Sequence, residues 1–420
     1  MTNVGTEIGE PITILVIHAS VGSGHKSAAN AVASALTRLA EDRESFKDRY
    51  VQVKVLDILD FGRVKIDGNA FASSFTGGMR PLYDLLWRYF FTGHLIWGGG
   101  TSWSRVMFGK FTQCIRDLKP DAIVCTHITA ANAAVGAKLI TRSDFPIICI
   151  PTDYEAEGLW PHKYTDMFCV ANEPMAETLR ARKVDDSKIT VTGMPVSPDF
   201  RDSYDRDKTL RSFSLPTDKR IALVLAGASL PRPYVNFREV LEHLIPFMHV
   251  YDNIHFAIVA GKGPDYKAKL TRLVESHNLK NVSIFGFVED MAMLMSAADL
   301  TICKAGGLVV TECLASDTPM ILTCRAYGQE KANVKLLTAE GAARHVTTTR
   351  ELFDTLSLVN RDAEALSGIR RNAQLIRKPN ASYEIAKLVF SMIEGTDERS
   401  FGANKHFCTL MWGHRPAHPR

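Results

Sequence analysis

Short apolar runs rich in β-branched residues alternate with longer amphipathic ones along most of the chain. "ITILVIHA" at 12–19 predicts a strand, and "HKSAANAVASALTRLA" at 25–40 a helix with Ala and Leu on one face. "VQVKVLDIL", "DAIVCTH", "PIICIPT", "DMFCVAN" and "ITVTGMP" continue as strands, too apolar to leave one face in water. The rhythm restarts near residue 220. "RIALVLAGA", "IHFAIVAG", "VSIFGFV", "LTICKAG" and "PMILTC" read as strands, with "PMILTC" closing the set. "VNFREVLEHLIPFM", "PDYKAKLTRLVESHN", "MAMLMSAAD" and "LVVTECLAS" read as the helices between them. Strand–helix alternation predicts right-handed crossovers and mostly parallel sheets covered on both faces. Two stretches with the same grammar predict an α/β protein of two Rossmann-like domains. Between them, "SPDFRDSYDRDKTLRSFSLPTDKR" keeps no apolar period and reads as the boundary.

Residues 61–110 break the alternation. They carry eleven aromatics and three of the five tryptophans. "PLYDLLWRYFF" sets Leu82, Leu85, Leu86, Tyr89 and Phe90 at helical spacing behind Pro81, with Arg80, Arg88, Arg105 and Lys110 interleaved. One reading is a helical pair packed on the sheet. The other is an interfacial contact in which Trp87, Phe91 and Trp97 enter lipid while Arg80 and Arg88 meet anionic headgroups. A helix that packs on one face and touches lipid with the other satisfies both.

At 420 residues the chain exceeds one core, in keeping with two domains. A net charge of +4 is too mild to point to nucleic acid, yet does not repel an anionic membrane or a phosphorylated ligand. The eight cysteines form no C-x-x-C pair. Cys125, Cys149 and Cys303 fall inside strand-like runs and read as small hydrophobes, which suggests a reducing cytoplasm. Residues 1–11 do not read as a signal peptide, and no run of about 18 apolar residues offers a membrane span.

Two junctions carry chemistry. "HASVGSGHKSAANAVASAL" at 18–36 is not a P-loop, since Gly-Lys-Ser/Thr is missing, and Ser27 replaces the third glycine of a dinucleotide fingerprint. What remains is a glycine turn that brings backbone N–H groups and the His25 imidazole to the carboxyl edge of a sheet, where open α/β sheets bind ligands. His25 there is either a general base or merely a helix-start residue. In "CKAGGLVVTECLASDTPMILTCRAYGQEKAN" at 303–333, Gly306 and Gly307 let backbone amides approach a phosphate at the positive end of a helix. Glu312 follows where a carboxylate can bind two neighbouring hydroxyls, and Gln329, Glu330 and Asn333 supply polar groups for a sugar.

These stretches, with "IPTDY…LW" at 150–160, "ITVTGMPVSPDF" at 189–200 and "GFVEDM" at 286–291, resemble inverting glycosyltransferases of the monogalactosyldiacylglycerol synthase and processive diacylglycerol glucosyltransferase type, over roughly residues 12–390. The resemblance implies a GT-B fold, two Rossmann-like domains with mostly parallel sheets facing a cleft. It divides the chain into an acceptor-side domain at 1–203, a UDP-sugar domain at 204–375, a helix at 376–395 packing back toward the N-terminal domain, and a loosely ordered tail at 396–420. It implies a peripheral enzyme at the inner face of the cell membrane that moves a hexose from UDP-glucose or UDP-galactose to diacylglycerol. No metal or other cofactor and no nucleic acid enter.

By the same resemblance, the backbone of Phe287 and Val288 meets uracil, Glu312 binds ribose, and Gly306 and Gly307 hold the diphosphate, with Thr311 beside them. Gln329, Glu330 and Asn333 contact the donor sugar. Gly24 and His25 face the donor from the other side, with His25 as base or phosphate partner and Asp153 as the alternative base. Two departures stand out. Glu157 occupies the neighbourhood where the family often has a histidine, and "AGASLPRPYVNF" at 226–237 has prolines where glycines are usual. A nucleotide-sugar epimerase of the same fold and a non-catalytic UDP-sugar-binding protein are the competing expectations.

Overall fold

The computed structural model describes residues 9–20, 24–42, 49–62, 107–154, 160–226, 235–323, 326 and 330–400. The segment containing Arg80, Trp87, Arg88, Phe91 and Trp97 lies outside them, as do Glu157, Gln329 and residues 227–234.

In the N-terminal half, β1 (Gly9–His18), α1 (Gly24–Asp42) and β2 (Arg49–Asp57) are followed by α2 (Gly109–Leu118), β3 (Ala122–Cys125), α3 (Ile128–Thr141) and β4 (Ile147–Cys149). Then come β5 (Met167–Val170), α4 (Glu173–Ala181), β6 (Ile189–Val191) and α5 (Arg206–Ser212). The C-terminal half contains β7 (Arg220–Leu225), α6 (Val235–Leu244), β8 (Ile254–Val259), α7 (Pro264–Ser276), β9 (Val282–Phe285), α8 (Met291–Ala297) and β10 (Leu300–Cys303). It continues through α9 (Gly307–Ala315), β11 (Met320–Thr323), α10 (Glu330–Ala339), β12 (Ala343–Val346), α11 (Thr349–Arg361) and α12 (Ser367–Ile376), and the final helix is α13 (Ala381–Ser400).

The strands form two six-stranded sheets, β2-β1-β3-β4-β5-β6 and β12-β11-β10-β7-β8-β9, with every pairing parallel. The second has the strand order of a dinucleotide-binding Rossmann sheet. Most central strands are buried end to end, as parallel strands covered on both faces must be. In each sheet the order reverses once, between β1 and β3 and between β7 and β10. At such reversals the connections leaving the two neighbouring strands turn to opposite faces of the sheet and leave a crevice at the carboxyl ends.

Helix α13 returns to the first domain. Ile385, Ala386, Val389, Phe390 and Ile393 pack with Ile12, Ile14, Val16, Val32 and Leu36 of β1 and α1. Before it, Gly193 takes φ +92°, and a Cβ there would lie 2.6 Å from the Lys378 Cβ, so only glycine lets the returning chain pass this close. The apolar core also runs from Leu15 and Ile17 through Met194 and Phe200 to Leu308 and Val310, joining the two halves.

Three sequence expectations change. "PMILTC" does not close the second sheet, because β12 adds a sixth strand. Its four residues place Arg344 outward and His345 half-buried at a sheet edge, too short and polar for a periodic signal. The polar boundary stretch forms α5 and buries Phe200, Leu210 and Leu215. The break expected at residue 396 falls inside α13, which continues to Ser400, and residues 401–420 lie outside the described part.

Phe390 is fully buried, and replacing it with Ala should cost about 3–5 kcal/mol of N-terminal-domain stability. Chemical denaturation should show the first transition moving to lower denaturant. An unchanged midpoint would mean that α13 contributes nothing to that domain.

Candidate functional site

Two carboxyl edges face each other across the domain boundary. On the N-terminal side, Thr126 follows β3, and its N–H bonds the Ile17 carbonyl of β1 at 3.0 Å. Its hydroxyl donates to the His25 carbonyl at 2.9 Å, while its own carbonyl lies 3.0 Å from His25 Nδ1. The end of β3 thus grips the first turn of α1 from both directions. Thr152, two residues beyond the Ile150–Cys125 backbone bond, brings Oγ1 to 2.7 Å from the same Nδ1.

A carbonyl oxygen only accepts, so the proton of neutral His25 sits on Nδ1 and the lone pair on Nε2. His127 packs edge-on against this ring, with centroids 4.6 Å apart. Its Nδ1 accepts the Thr129 N–H at 3.1 Å and caps α3, which leaves its proton on Nε2. Burial lowers His25 to about pKa 4, only partly opposed by the Thr126 carbonyl, and neighbouring His18 lowers it further. The positive end of α1 acts in the same direction. Burial likewise lowers His127 and His18. His25 is therefore neutral at pH 7.

On the C-terminal side, β10 leads through Lys304 to Gly306, which precedes α9, and to Gly307, its first residue. A Cβ on Gly307 would stand 2.7 Å from the Thr152 carbonyl oxygen and 3.0 Å from Asp153 Oδ1. Only glycine allows the opposing backbone to approach this closely. A Cβ on Gly24 would lie at ordinary contact distance, 3.7 Å, from Leu308. Tyr154 spans the boundary with its hydroxyl 2.9 Å from Thr311 Oγ1, and its N–H meets Asn333 Oδ1 at 3.4 Å.

The structure brings Gly24, His25, Asp153, Gly306, Gly307, Thr311 and Asn333 together at this junction. Thr311 is buried and donates to the Gly307 carbonyl at 2.7 Å. Asn333 is fully buried, with Nδ2 donating to the Ala305 carbonyl at 2.9 Å. In this conformation both residues brace the Gly306–Gly307 loop rather than present polar atoms to a sugar. Glu330 accepts from Lys304 Nζ at 2.7 Å. Phe287 is exposed, with Lys262 Nζ 4.4 Å from its ring centroid, and Val288 is half-buried against the core.

Glu312 keeps some solvent contact but is surrounded by protein, and desolvation raises it to about pKa 7. Asp205-Arg206-Asp207 supplies the Asp-x-Asp spacing of metal-dependent transferases once in the chain. Asp205 accepts the Lys208 N–H as the cap of α5, and no cluster of metal-ligating side chains occurs among the described residues.

Sequence reasoning missed Thr126, Thr152, His127 and Lys304. Thr126 and His127 stand at the end of "DAIVCTH", and Thr152 at the end of "PIICIPT". Polar residues directly after a buried strand were the available signal.

Two Rossmann-like domains whose sheet edges meet at a cleft define the GT-B class, the fold of many nucleotide-sugar enzymes. Residues 25–196 match the model of monogalactosyldiacylglycerol (MGDG) synthase, and residues 223–389 match the glycosyltransferase family 28 C-terminal domain. The N-terminal and C-terminal halves thus each match a family model of their own. The chain is 26% identical to the processive diacylglycerol beta-glucosyltransferases of Bacillus licheniformis and Bacillus subtilis over 273 residues, 65% of this chain and 69% of each relative. Acinetobacter baumannii MurG is similar in fold, with a TM-score of 0.53 and 19% identity, over 91% of this chain and 100% of MurG. S. aureus MnaA in its UDP co-structure has a TM-score of 0.59 and 12% identity, over 91% of this chain and 97% of MnaA. Likenesses at these identities concern the fold alone.

The Glu312 shift gives stability a pH dependence. An unfolded carboxyl loses its proton near 4.5 and the folded one near 7, so the folded state holds the extra proton between these values. Stability falls as pH rises through that window, by up to about 3 kcal/mol once pH exceeds 7. Glu312→Gln should remove this fall, so its urea midpoint should gain on wild type between pH 5 and pH 8. Parallel midpoints at both pH values would place the carboxyl in water.

Proposed function

We infer that this chain is an inverting hexosyltransferase that moves glucose or galactose from a UDP-sugar to diacylglycerol at an anionic membrane surface. The observation that carries this reading is the anchored neutral His25 ring, with Nε2 as its basic nitrogen, beside the amino end of α9. The acceptor hydroxyl attacks the anomeric carbon from the N-terminal side. Its proton passes to His25 Nε2 as the new C–O bond forms. The bond from the anomeric carbon to the β-phosphate oxygen breaks, and UDP leaves with the electron pair. General-base help of this kind is worth about 10²–10⁴-fold.

The leaving diphosphate is received by the free N–H groups of α9 and by Lys304, whose Nζ is 3.7 Å from where a Gly306 Cβ would stand. Its negative charge would raise His25 from about 4, so the base strengthens as the donor seats. Glu312 holds the ribose hydroxyls, and the Phe287–Val288 backbone holds uracil. On this reading no metal is required, because helix N–H groups and a lysine take up the developing charge. Asp153, against Gly307, remains the second candidate base.

The names of the curated relatives and the N-terminal family model support diacylglycerol as acceptor. Among the described residues no helix is long and apolar enough to cross a membrane, in keeping with attachment through residues 61–110.

Release of UDP from UDP-glucose or UDP-galactose should require diacylglycerol-containing vesicles and fall at least about 100-fold in His25→Gln. UDP affinity by calorimetry should stay close to wild type. UDP release from either sugar without lipid would favour an epimerase. Loss of UDP affinity with modest change in turnover would make His25 a phosphate contact.

Replacing Trp87, Phe91 and Trp97 together with Ser should reduce sedimentation with anionic vesicles. Raising salt to 1 M should weaken the wild-type interaction, since the screening length shrinks to about 3 Å. Full sedimentation of the folded triple variant would remove these aromatics from the lipid contact.

A further inference from the structure

The reading above gives His25 a proton to take, but not what keeps its ring aimed. In many hydrolases a carboxylate orients the imidazole and stabilises its charge. Here the two groups on Nδ1 are both uncharged, the Thr126 carbonyl at 3.0 Å and the Thr152 hydroxyl at 2.7 Å. They come from the ends of β3 and β4, so the ring is tied to two adjacent strands of one sheet. Thr126 is fully buried and Thr152 nearly so, and neither competes with bulk water for the ring.

Thr152 has a second contact. Its carbonyl oxygen is the atom nearest to where a Gly307 Cβ would stand, at 2.7 Å. One residue therefore touches the imidazole with its side chain and the first turn of α9 with its backbone. A shift of α9 toward or away from the N-terminal sheet acts on the same residue that holds the ring.

We propose that Thr152 is a positioning residue: its hydroxyl, with the Thr126 carbonyl, fixes the His25 ring with Nε2 toward the cleft, and its backbone contact with Gly307 sets that ring against the donor domain. Nδ1–H donates to the Thr126 carbonyl and is shared with Thr152 Oγ1. An uncharged partner holds the tautomer without adding negative charge at Nδ1. The ring then gains basicity from the diphosphate rather than from a permanent neighbour.

The proposal rests on the base reading of His25, so the test has an arm that does not depend on turnover. In the full-length protein with 15N-labelled histidine, the His25 signals are identified by their loss in His25→Gln. Wild type should show one Nδ1–H tautomer at pH 7; in Thr152→Val the Thr126 carbonyl still holds that tautomer, but the Nδ1 signal should shift and broaden as the ring loses its second tether. With UDP-glucose and dioleoylglycerol vesicles, Thr152→Val should lower kcat about 10- to 100-fold. KM for UDP-glucose and the UDP affinity should remain within about twofold, since positioning acts on the reacting geometry. Thr152→Ser keeps the hydroxyl and should restore most of the rate. Thr152→Ala replaces the valine variant if that fails to fold.

An unchanged His25 spectrum in Thr152→Val, or unchanged kcat, overturns the proposal. Loss of UDP affinity in step with kcat, with the spectrum intact, overturns it in favour of a purely interdomain contact. If His25→Gln retains wild-type turnover, the base reading falls, while the spectrum still decides whether Thr152 orients the ring.

Discussion

A side chain reduced to hydrogen at residue 307 lets the two halves of this protein meet. The amino end of α9 comes so near the Thr152–Asp153 backbone that any Cβ would overlap it. Everything at the cleft follows from that approach. Tyr154 reaches Thr311 and Asn333 because the backbones behind them are close, and Leu308 lies against Gly24 for the same reason. Most of these contacts are polar or van der Waals rather than large apolar areas. They set the geometry of the cleft, while the apolar core through Met194, Phe200, Leu308 and Val310 holds the two halves together.

The site charges are withheld rather than balanced. Burial holds His25 neutral and favours the proton on Glu312, moving one group to about 4 and the other to about 7. Lys304 and Glu330 stay paired at 2.7 Å. A doubly negative ligand at α9 changes each of these balances at once, since fields act strongly where water is scarce.

Much of the architecture was legible in the sequence, for a definite reason. Strands buried on both faces have to be apolar throughout, so "RIALVL" and "AIVC" announce themselves. The edge strand β12 has no such obligation, and "ARHV" passes unnoticed. The site divides along similar lines. Gly306, Gly307, His25 and Glu312 stand out because glycine pairs and isolated titratable groups are rare at strand–helix junctions. Thr126 and Thr152 do not, because threonine after a strand is ordinary and their roles depend on two strands lying side by side. Asn333 was legible as polar, while its complete burial required the fold.

The return of α13 to the first domain has a consequence in time. Ile12, Ile14, Val16, Val32 and Leu36 share one buried cluster with Val124, Ile148 and Ile150 of their own domain, and with Ile385, Val389, Phe390 and Ile393 of the last helix. More than three hundred residues of translation separate β1 and α1 from that helix, tens of seconds at about 5–20 residues per second. Throughout synthesis the first domain carries an uncovered apolar stripe, and the second domain can fold before the first is finished. The order in which this chain is made is therefore the reverse of the order in which its domains are completed. A chain that stops short of α13 leaves the earliest part of the protein, not the latest, as the part with an open core.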